Sequence, residues 1–225
     1  MRKSVLWGHR YAEYRDMFDL PTDLGALKLL EFACGPTLVN QELSAKDHFV
    51  RSADPWFEPD LSQTKQLFTD KFEQQKNKML EYPTRYDADK YGGIEALFAR
   101  RNQGFQDFFE DYHQAYQHRY FKADAFQVPF QNASFDLVVC SNYFFADLPD
   151  AGLDFHLTWF KELSRVAHEI RIYPLTISGG PSTLLGPILM ALQTQDYRVS
   201  VQEVPFRLVP NSKAMLKIET GRCTL

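Results

Sequence analysis

The chain reads as an α/β protein built on a doubly wound, mostly parallel sheet with an antiparallel hairpin at one edge. Three observations lead there. Strand-like and helix-like segments alternate from residue 27 to residue 193, the order that gives a parallel sheet covered on both faces. Phe135–Ser141 is a near-continuous apolar run, as expected of a central strand. The last two segments, Tyr197–Val204 and Ala214–Glu219, alternate apolar and polar residues instead, the mark of a closing hairpin.

The elements follow in order. Residues 4–18 predict a helix, because Leu6, Tyr11, Tyr14, Met17 and Phe18 recur at near-helical spacing and Pro21 follows. Leu27–Phe32 predicts the first strand and Thr37–Leu43 the start of its helix. Phe49–Ala53, Tyr120–Ala123 and Phe135–Ser141 predict the next three strands. Leu153–Ala167 predicts an amphipathic helix, with Leu153, Leu157, Phe160, Leu163 and Ala167 on one face. Glu169–Leu175 predicts the fifth strand, and Thr183–Gln193 a helix interrupted at Gly186-Pro187, where proline resets the N-terminus. With the hairpin, the sheet has seven strands.

One connection is too long for a simple crossover. Asp54 and Tyr120 are 66 residues apart, whereas a dozen or so suffice. The stretch is rich in Phe and Tyr, and predicts helices near 61–80 and 92–117 joined at Tyr82-Pro83-Thr84-Arg85. Two readings stand: a lid or substrate-binding cap, or a helical pair packed on the sheet edge. The organisation expected is one domain over 1–225 with a helical insertion at 57–118.

Composition narrows the partners. There are 25 Lys and Arg against 29 Asp and Glu, a net charge of −4, with no long basic run; nucleic acid and anionic membranes are disfavoured. The three cysteines, Cys34, Cys140 and Cys223, are odd in number and far apart, the pattern of reduced thiols. No apolar run approaches membrane-spanning length, and the N-terminus lacks a signal-peptide core. A cytoplasmic location is expected. The six histidines never pair with cysteines or acids at zinc-type spacing, so no metal is expected.

The chemistry concentrates in Leu-Leu-Glu-Phe-Ala-Cys-Gly-Pro at 29–36 and Ser-Ala-Asp-Pro at 52–55. A strand ends near an acid, a small-residue turn follows, and Asp54 comes 19 residues after Gly35, the spacing at which a nucleotide-binding βαβ unit places an acceptor for ribose hydroxyls. The turn is not G-x-G-x-x-G. Glu31 before it would repel a pyrophosphate over the helix N-terminus, whereas the ammonium of S-adenosylmethionine would be attracted. The plain alternative is an ordinary junction of an α/β domain.

These blocks, with Lys-Ala-Asp-Ala-Phe-Gln-Val-Pro-Phe at 122–130, Ala-Ser-Phe-Asp-Leu-Val-Val-Cys-Ser at 133–141 and the helix-strand block at 160–175, resemble the class I S-adenosylmethionine-dependent methyltransferases. The likeness is to small-molecule-type bacterial members with a helical insertion after the second strand, and covers most of the chain except roughly 57–118. It implies a Rossmann-like fold, S-adenosylmethionine as cofactor and a small-molecule methyl acceptor. It further implies that Glu31 meets the methionine ammonium, that Phe32, Ala33, Cys34 and Gly35 form the turn beneath the methionine, and that Asp54 accepts from the ribose with Pro55 and Trp56 flanking adenine. Asp124 and the Ala125 amide would meet the adenine edge, and Ser141, with Asn142 or Tyr143, would lie beside the sulfonium. The chain departs from the family at Ala33 and Thr37, where glycine is usual; alanine in a left-handed conformation costs roughly 1–2 kcal/mol.

Methyl transfer needs alignment above all, and a base only where the acceptor must lose a proton. Tyr143 and His156 are the candidates after the fourth strand. Ahead of the first strand, the resemblance implies His9 and Arg10 as candidates for covering the donor, and Tyr14 and Arg15 as candidates for contacting the methionine carboxylate. For each, packing or a surface role is the plain alternative. Two other functions remain in view: a non-catalytic binding protein that keeps the fold, and a methyltransferase acting on protein or RNA.

Overall fold

A computed structural model describes residues 8–148, 150–177 and 180–221. The chain runs α1 (Tyr11–Phe18), β1 (Leu29–Phe32), α2 (Val39–Ser44), β2 (Val50–Asp54), α3 (Leu61–Glu81), α4 (Ile94–Ala115), β3 (Tyr120–Lys122) and β4 (Phe135–Ser141). It continues through α5 (Leu153–Val166), β5 (Ala167–Tyr173), the two-residue strands β6 (Thr176–Ile177) and β7 (Gly180–Pro181), α6 (Leu185–Gln193), β8 (Arg198–Glu203) and β9 (Ala214–Glu219). Seven strands form one sheet in the order β3-β2-β1-β4-β5-β9-β8. Only β9 runs against the rest, pairing antiparallel with both β5 and β8. The sheet is the doubly wound, mostly parallel one expected, with its antiparallel strand in the closing hairpin. Strand order reverses between β1 and β4, which places a crevice at their carboxyl ends.

Period-two alternation sorts the strand residues into two faces. Leu30, Phe32, Val138, Cys140, Ile170 and Ile172 pack with Trp159, Phe160 and Leu163 of α5 and Ile188 and Leu192 of α6. Leu29, Val50, Leu137, Val139 and Tyr173 pack with Tyr14 and Phe18 of α1 and with Phe72, Leu97 and Phe98 of the insertion. A third cluster, Phe57, Phe68, Phe105, Phe108, Tyr112 and Tyr120, joins α3 and α4 to the β3 edge. Each such side chain contributes about 1.5–3 kcal/mol of burial, so the insertion is built into the core. Gly104 of α4 lies so close to the loop after β1 that a Cβ there would stand 2.9 Å from Leu38 Cδ1.

The insertion helices fall within two residues of their predicted ends. The first helix differs more: it starts at Tyr11, and Gly8–Arg10 form a non-helical lead-in. The expected stretch from residue 4 to residue 7 lies outside the described residues. Gly8 has φ +73°, and its amide donates to Pro36 O at 2.8 Å rather than to a helical turn. Helix α6 is uninterrupted, because Pro187 falls in its first turn, where a missing N–H costs no helical bond. Strand β5 stops before Pro174, which cannot donate to a ladder.

Candidate functional site

The turn after β1 is built from two left-handed residues, Ala33 at φ +52° and Gly35 at φ +66°. The alanine therefore carries the strain that the sequence raises. The turn is held from three sides. Ala33 N donates to Ala53 O at 2.7 Å. Asp54, at the carboxyl end of β2, accepts from Gly35 N through Oδ2 at 2.8 Å and from Trp56 N through Oδ1 at 2.8 Å. Cys34 Sγ lies 3.5 Å from Ser141 N, at the end of β4. Trp56 in turn packs on Phe68 of α3, with ring centroids 6.0 Å apart.

Glu31 sits beneath this turn, 1% exposed. Thr37 Oγ1 donates to its Oε1 at 2.8 Å and Ser52 Oγ to its Oε2 at 2.6 Å. Thr37 thus has a structural task. Burial, opposed by hydrogen bonds from Ser52, Thr37 and Tyr14, pushes the Glu31 carboxyl up to about 7. Burial likewise pushes the Cys34 thiol up to about 12, with the Glu31 charge adding to the effect. Tyr14 is fully buried with its hydroxyl 3.3 Å from Ser141 Oγ. Its acidity is suppressed by burial, then by Cys34 and Glu31.

The structure therefore brings Glu31, Ala33, Cys34, Gly35, Asp54, Ser141 and Tyr14 into one polar knot at the carboxyl ends of β1, β2 and β4. Phe32 points to the other face of the sheet, 4.6 Å from the Trp159 ring. Asp124 and Ala125 lie outside the knot, on an exposed turn after β3 closed by Asp124 N–Gln127 O and Gln127 N–Asp124 O bonds. That turn is left-handed at Ala125 (φ +46°) and Phe126 (φ +60°). Phe126 leans on Phe155 and Trp159, its centroid 5.4 and 5.3 Å from theirs.

Tyr143 opens a π-helical turn over 143–147 and packs edge-on against Phe32 at 5.7 Å. His156 is 1% exposed, Nδ1 lying 2.8 Å from Gly152 O and Nε2 2.9 Å from Phe144 O. It ties the start of α5 to the π-helical turn. Arg10 Nη1 donates to Glu42 Oε1 of α2 at 2.8 Å, and Arg15 Nη1 to Thr22 Oγ1 at 3.2 Å.

A second buried polar group escaped the sequence reading. Glu13 of α1 accepts from Tyr91 Oη at 2.5 Å and Arg101 Nη2 at 3.2 Å through Oε1. Its Oε2 accepts from Arg10 N at 3.1 Å and lies 3.3 Å from His9 Nδ1. Burial would raise the Glu13 carboxyl, but the His9 and Arg101 charges, with hydrogen bonds from His9 and Tyr91, hold it well below the usual range. One signal for this group was present: Arg101 falls inside the apolar stripe Leu97, Phe98, Phe105 and Phe108 of α4.

No family model matches this chain. It is 22% identical over 228 residues to the uncharacterized protein MJ0045 of Methanocaldococcus jannaschii, covering 97% of both. Among solved structures it is similar to the bifunctional kinase-methyltransferase WbdD (16% identity, 95% of this chain, TM-score 0.47), and spans 40% of that chain's length. It is also similar to a SAM-dependent methyltransferase from Aquifex aeolicus (12% identity, 92% and 90% of the two chains, TM-score 0.43). A third likeness is to the magnesium protoporphyrin IX methyltransferase ChlM from Synechocystis PCC 6803, solved with bound SAH (11% identity, 88% and 75%, TM-score 0.43). Among the described residues no cluster of metal-binding side chains occurs, and no helix is long and apolar enough to cross a membrane.

Proposed function

We propose that this protein is an S-adenosylmethionine-dependent methyltransferase acting on a small-molecule O or N acceptor. One observation carries the reading: Asp54 and the Ala33–Gly35 turn are joined at 2.8 Å beside the point where strand order reverses. That is where an open α/β sheet binds its ligand. A buried acid under the turn suits a donor with an ammonium and a sulfonium better than a pyrophosphate. The residues fit the donor as follows. Gly35 and its neighbours pass under the methionine, Asp54 accepts from the ribose, and Asp124 and the Ala125 amide offer an exposed edge to adenine, with Pro55 and Trp56 on its other side. Glu31 acts from beneath, through Thr37, Ser52 and Tyr14, with Ser141 completing the floor.

The bound donor supplies a methyl carbon already activated by sulfur. What this chain supplies is orientation and a dry setting. The test is incubation with methyl-labelled S-adenosylmethionine and a cell extract. The label is expected among low-mass compounds. Label on protein or RNA would favour a macromolecular acceptor; donor binding without transfer would favour a non-catalytic protein.

A further inference from the structure

The seven-stranded sheet has two edges, and the chain treats them differently. At one edge β3 is three residues long, and the segment before it folds over its outer side: Tyr116 bridges to Tyr120, and Gln117 N donates to Tyr120 O at 2.8 Å. At the other, β8 runs for six residues, Arg198–Glu203, in unbroken register with β9 and, among the described residues, with no strand on its outer side. Natural sheet edges are usually blunted by proline, lysine, a bulge or a covering segment; β8 itself contains no proline, lysine or bulge. Just past its end, Val204 N donates to Lys213 O at 2.8 Å, in the same register. Bonded pairs alternate along an antiparallel ladder, so Arg198, Ser200 and Gln202 turn their amides and carbonyls to β9, and Val199, Val201 and Glu203 turn theirs outward. Val199 and Val201 share a face with their ladder partners Ile218 and Leu216, which pack with Ile188 and Leu192 of α6. Apolar surface is left over on this side: Met190 of α6 is 69% exposed and Val201 47%, the highest values among the described large apolar residues.

We infer that β8 is a docking edge for a second copy of this chain, which adds its own β8 antiparallel about a two-fold axis at Ser200 and joins the two sheets into one. The strand is complementary to itself. A two-fold axis normal to the sheet keeps each face on its own side, so residues of one face must oppose residues of the same face. With Ser200 on the axis, Val199 opposes the partner's Val201, and the outward amides and carbonyls of the two valines satisfy each other. Their β-branched side chains pair on the α6 face, the kind of cross-strand pair that stabilises sheets. On the opposite face Arg198 meets the partner's Gln202, and no like charges oppose. A slip of two residues would set Val199 against the partner's Glu203, and a slip of one would exchange the faces. Such an isologous pairing closes on itself, so the edge is used up in the dimer. Strands β5 and β9 stand between β8 and the β4 tip, so the pairing leaves the β1–β4 crevice of each copy uncovered, and the inference does not depend on the donor reading.

Sedimentation equilibrium of the full chain over the micromolar range tests this. The mass expected is twice the 26.2 kDa of one chain. Val201→Lys should weaken the dimer about tenfold or more, because it breaks both symmetry-related valine pairs and installs the residue that natural edges use to stay unpaired. Val201 is half exposed, so the fold should tolerate the lysine, and far-UV circular dichroism checks that it does. A second variant reads the register. Ser200 would face its own copy as a non-bonded pair with Cα atoms about 4.5 Å apart, within reach of a disulfide. Mild oxidation should therefore cross-link Ser200→Cys, built on Cys223→Ser, and leave Arg198→Cys on the same background unlinked. A single-chain mass throughout, multimers that keep growing with concentration, a dimer that folded Val201→Lys leaves intact, or a Ser200→Cys chain that does not link would each overturn the inference.

Discussion

Glu31 lies under the turn after β1 and Glu13 in the helix whose lead-in is tied across that turn, yet the two carboxyls behave in opposite ways. Glu31 faces neutral hydroxyls, Thr37 and Ser52, and is pushed up to about 7. Glu13 faces His9 and Arg101 and is held below the usual carboxylate range. Both are largely withdrawn from water, so burial alone does not set the charge; the partners do. One region is a carboxyl held by neutral hydroxyls beneath the turn. The other is an ionic clamp that fixes the chain above it.

The contrast can be broken most forcefully at the clamp. Arg101→Met leaves Glu13 without its buried guanidinium partner and should cost about 3 kcal/mol in denaturant unfolding at neutral pH, the usual loss when one partner of a buried pair is removed. A change below about 1 kcal/mol would mean the group is solvated, as a surface pair is.

The pH dependence of stability sharpens the same contrast. Glu31 titrates higher folded than unfolded, so its contribution is fully present below pH 4–5 and is lost as pH rises through about 7. Glu13 has the opposite sign: its contribution is present at neutral pH and lost as pH falls below the ordinary carboxylate range. Glu31→Gln, which keeps the hydroxyl partners, should remove a loss of up to about 3 kcal/mol between pH 4.5 and 8. An unchanged profile would show that Glu31 is not the group responsible.

Smaller effects belong to the turn. Asp54→Asn removes a charged acceptor and should weaken S-adenosylhomocysteine binding about tenfold, in line with roughly 1.5–3 kcal/mol for a hydrogen bond to a charged group. Smallest is Ala33→Gly. Relief of the left-handed strain, partly offset by the greater freedom of glycine in the unfolded chain, should stabilise by under about 1 kcal/mol. Destabilisation would mean that the methyl packs better than the strain costs.

Much of this was legible in the residues. Phe135–Ser141 and the two insertion helices were fixed by strong apolar patterns, and the structure returns them within two residues. The left-handed Ala33 was flagged by a missing glycine. The clamp was not legible, because His9, Glu13, Tyr91 and Arg101 are brought together only when α4 docks on α1. The π-helical turn at 143–147 was missed for another reason. Its aromatic run reads equally as strand end or helix start, and tertiary packing on Phe32 and His156 decides. The sequence could name Thr37 as a departure from glycine, but not the Glu31 carboxyl that its hydroxyl would meet.

The central claim is that the turn joined to Asp54 binds an adenosyl-methionine ligand. Calorimetry with S-adenosylhomocysteine tests it most directly, read beside thermal unfolding with the same ligand and with NAD. The account predicts saturable one-to-one heat, a raised melting temperature and no response to NAD. No heat and no stabilisation at millimolar S-adenosylhomocysteine, or a stronger response to NAD, would contradict it.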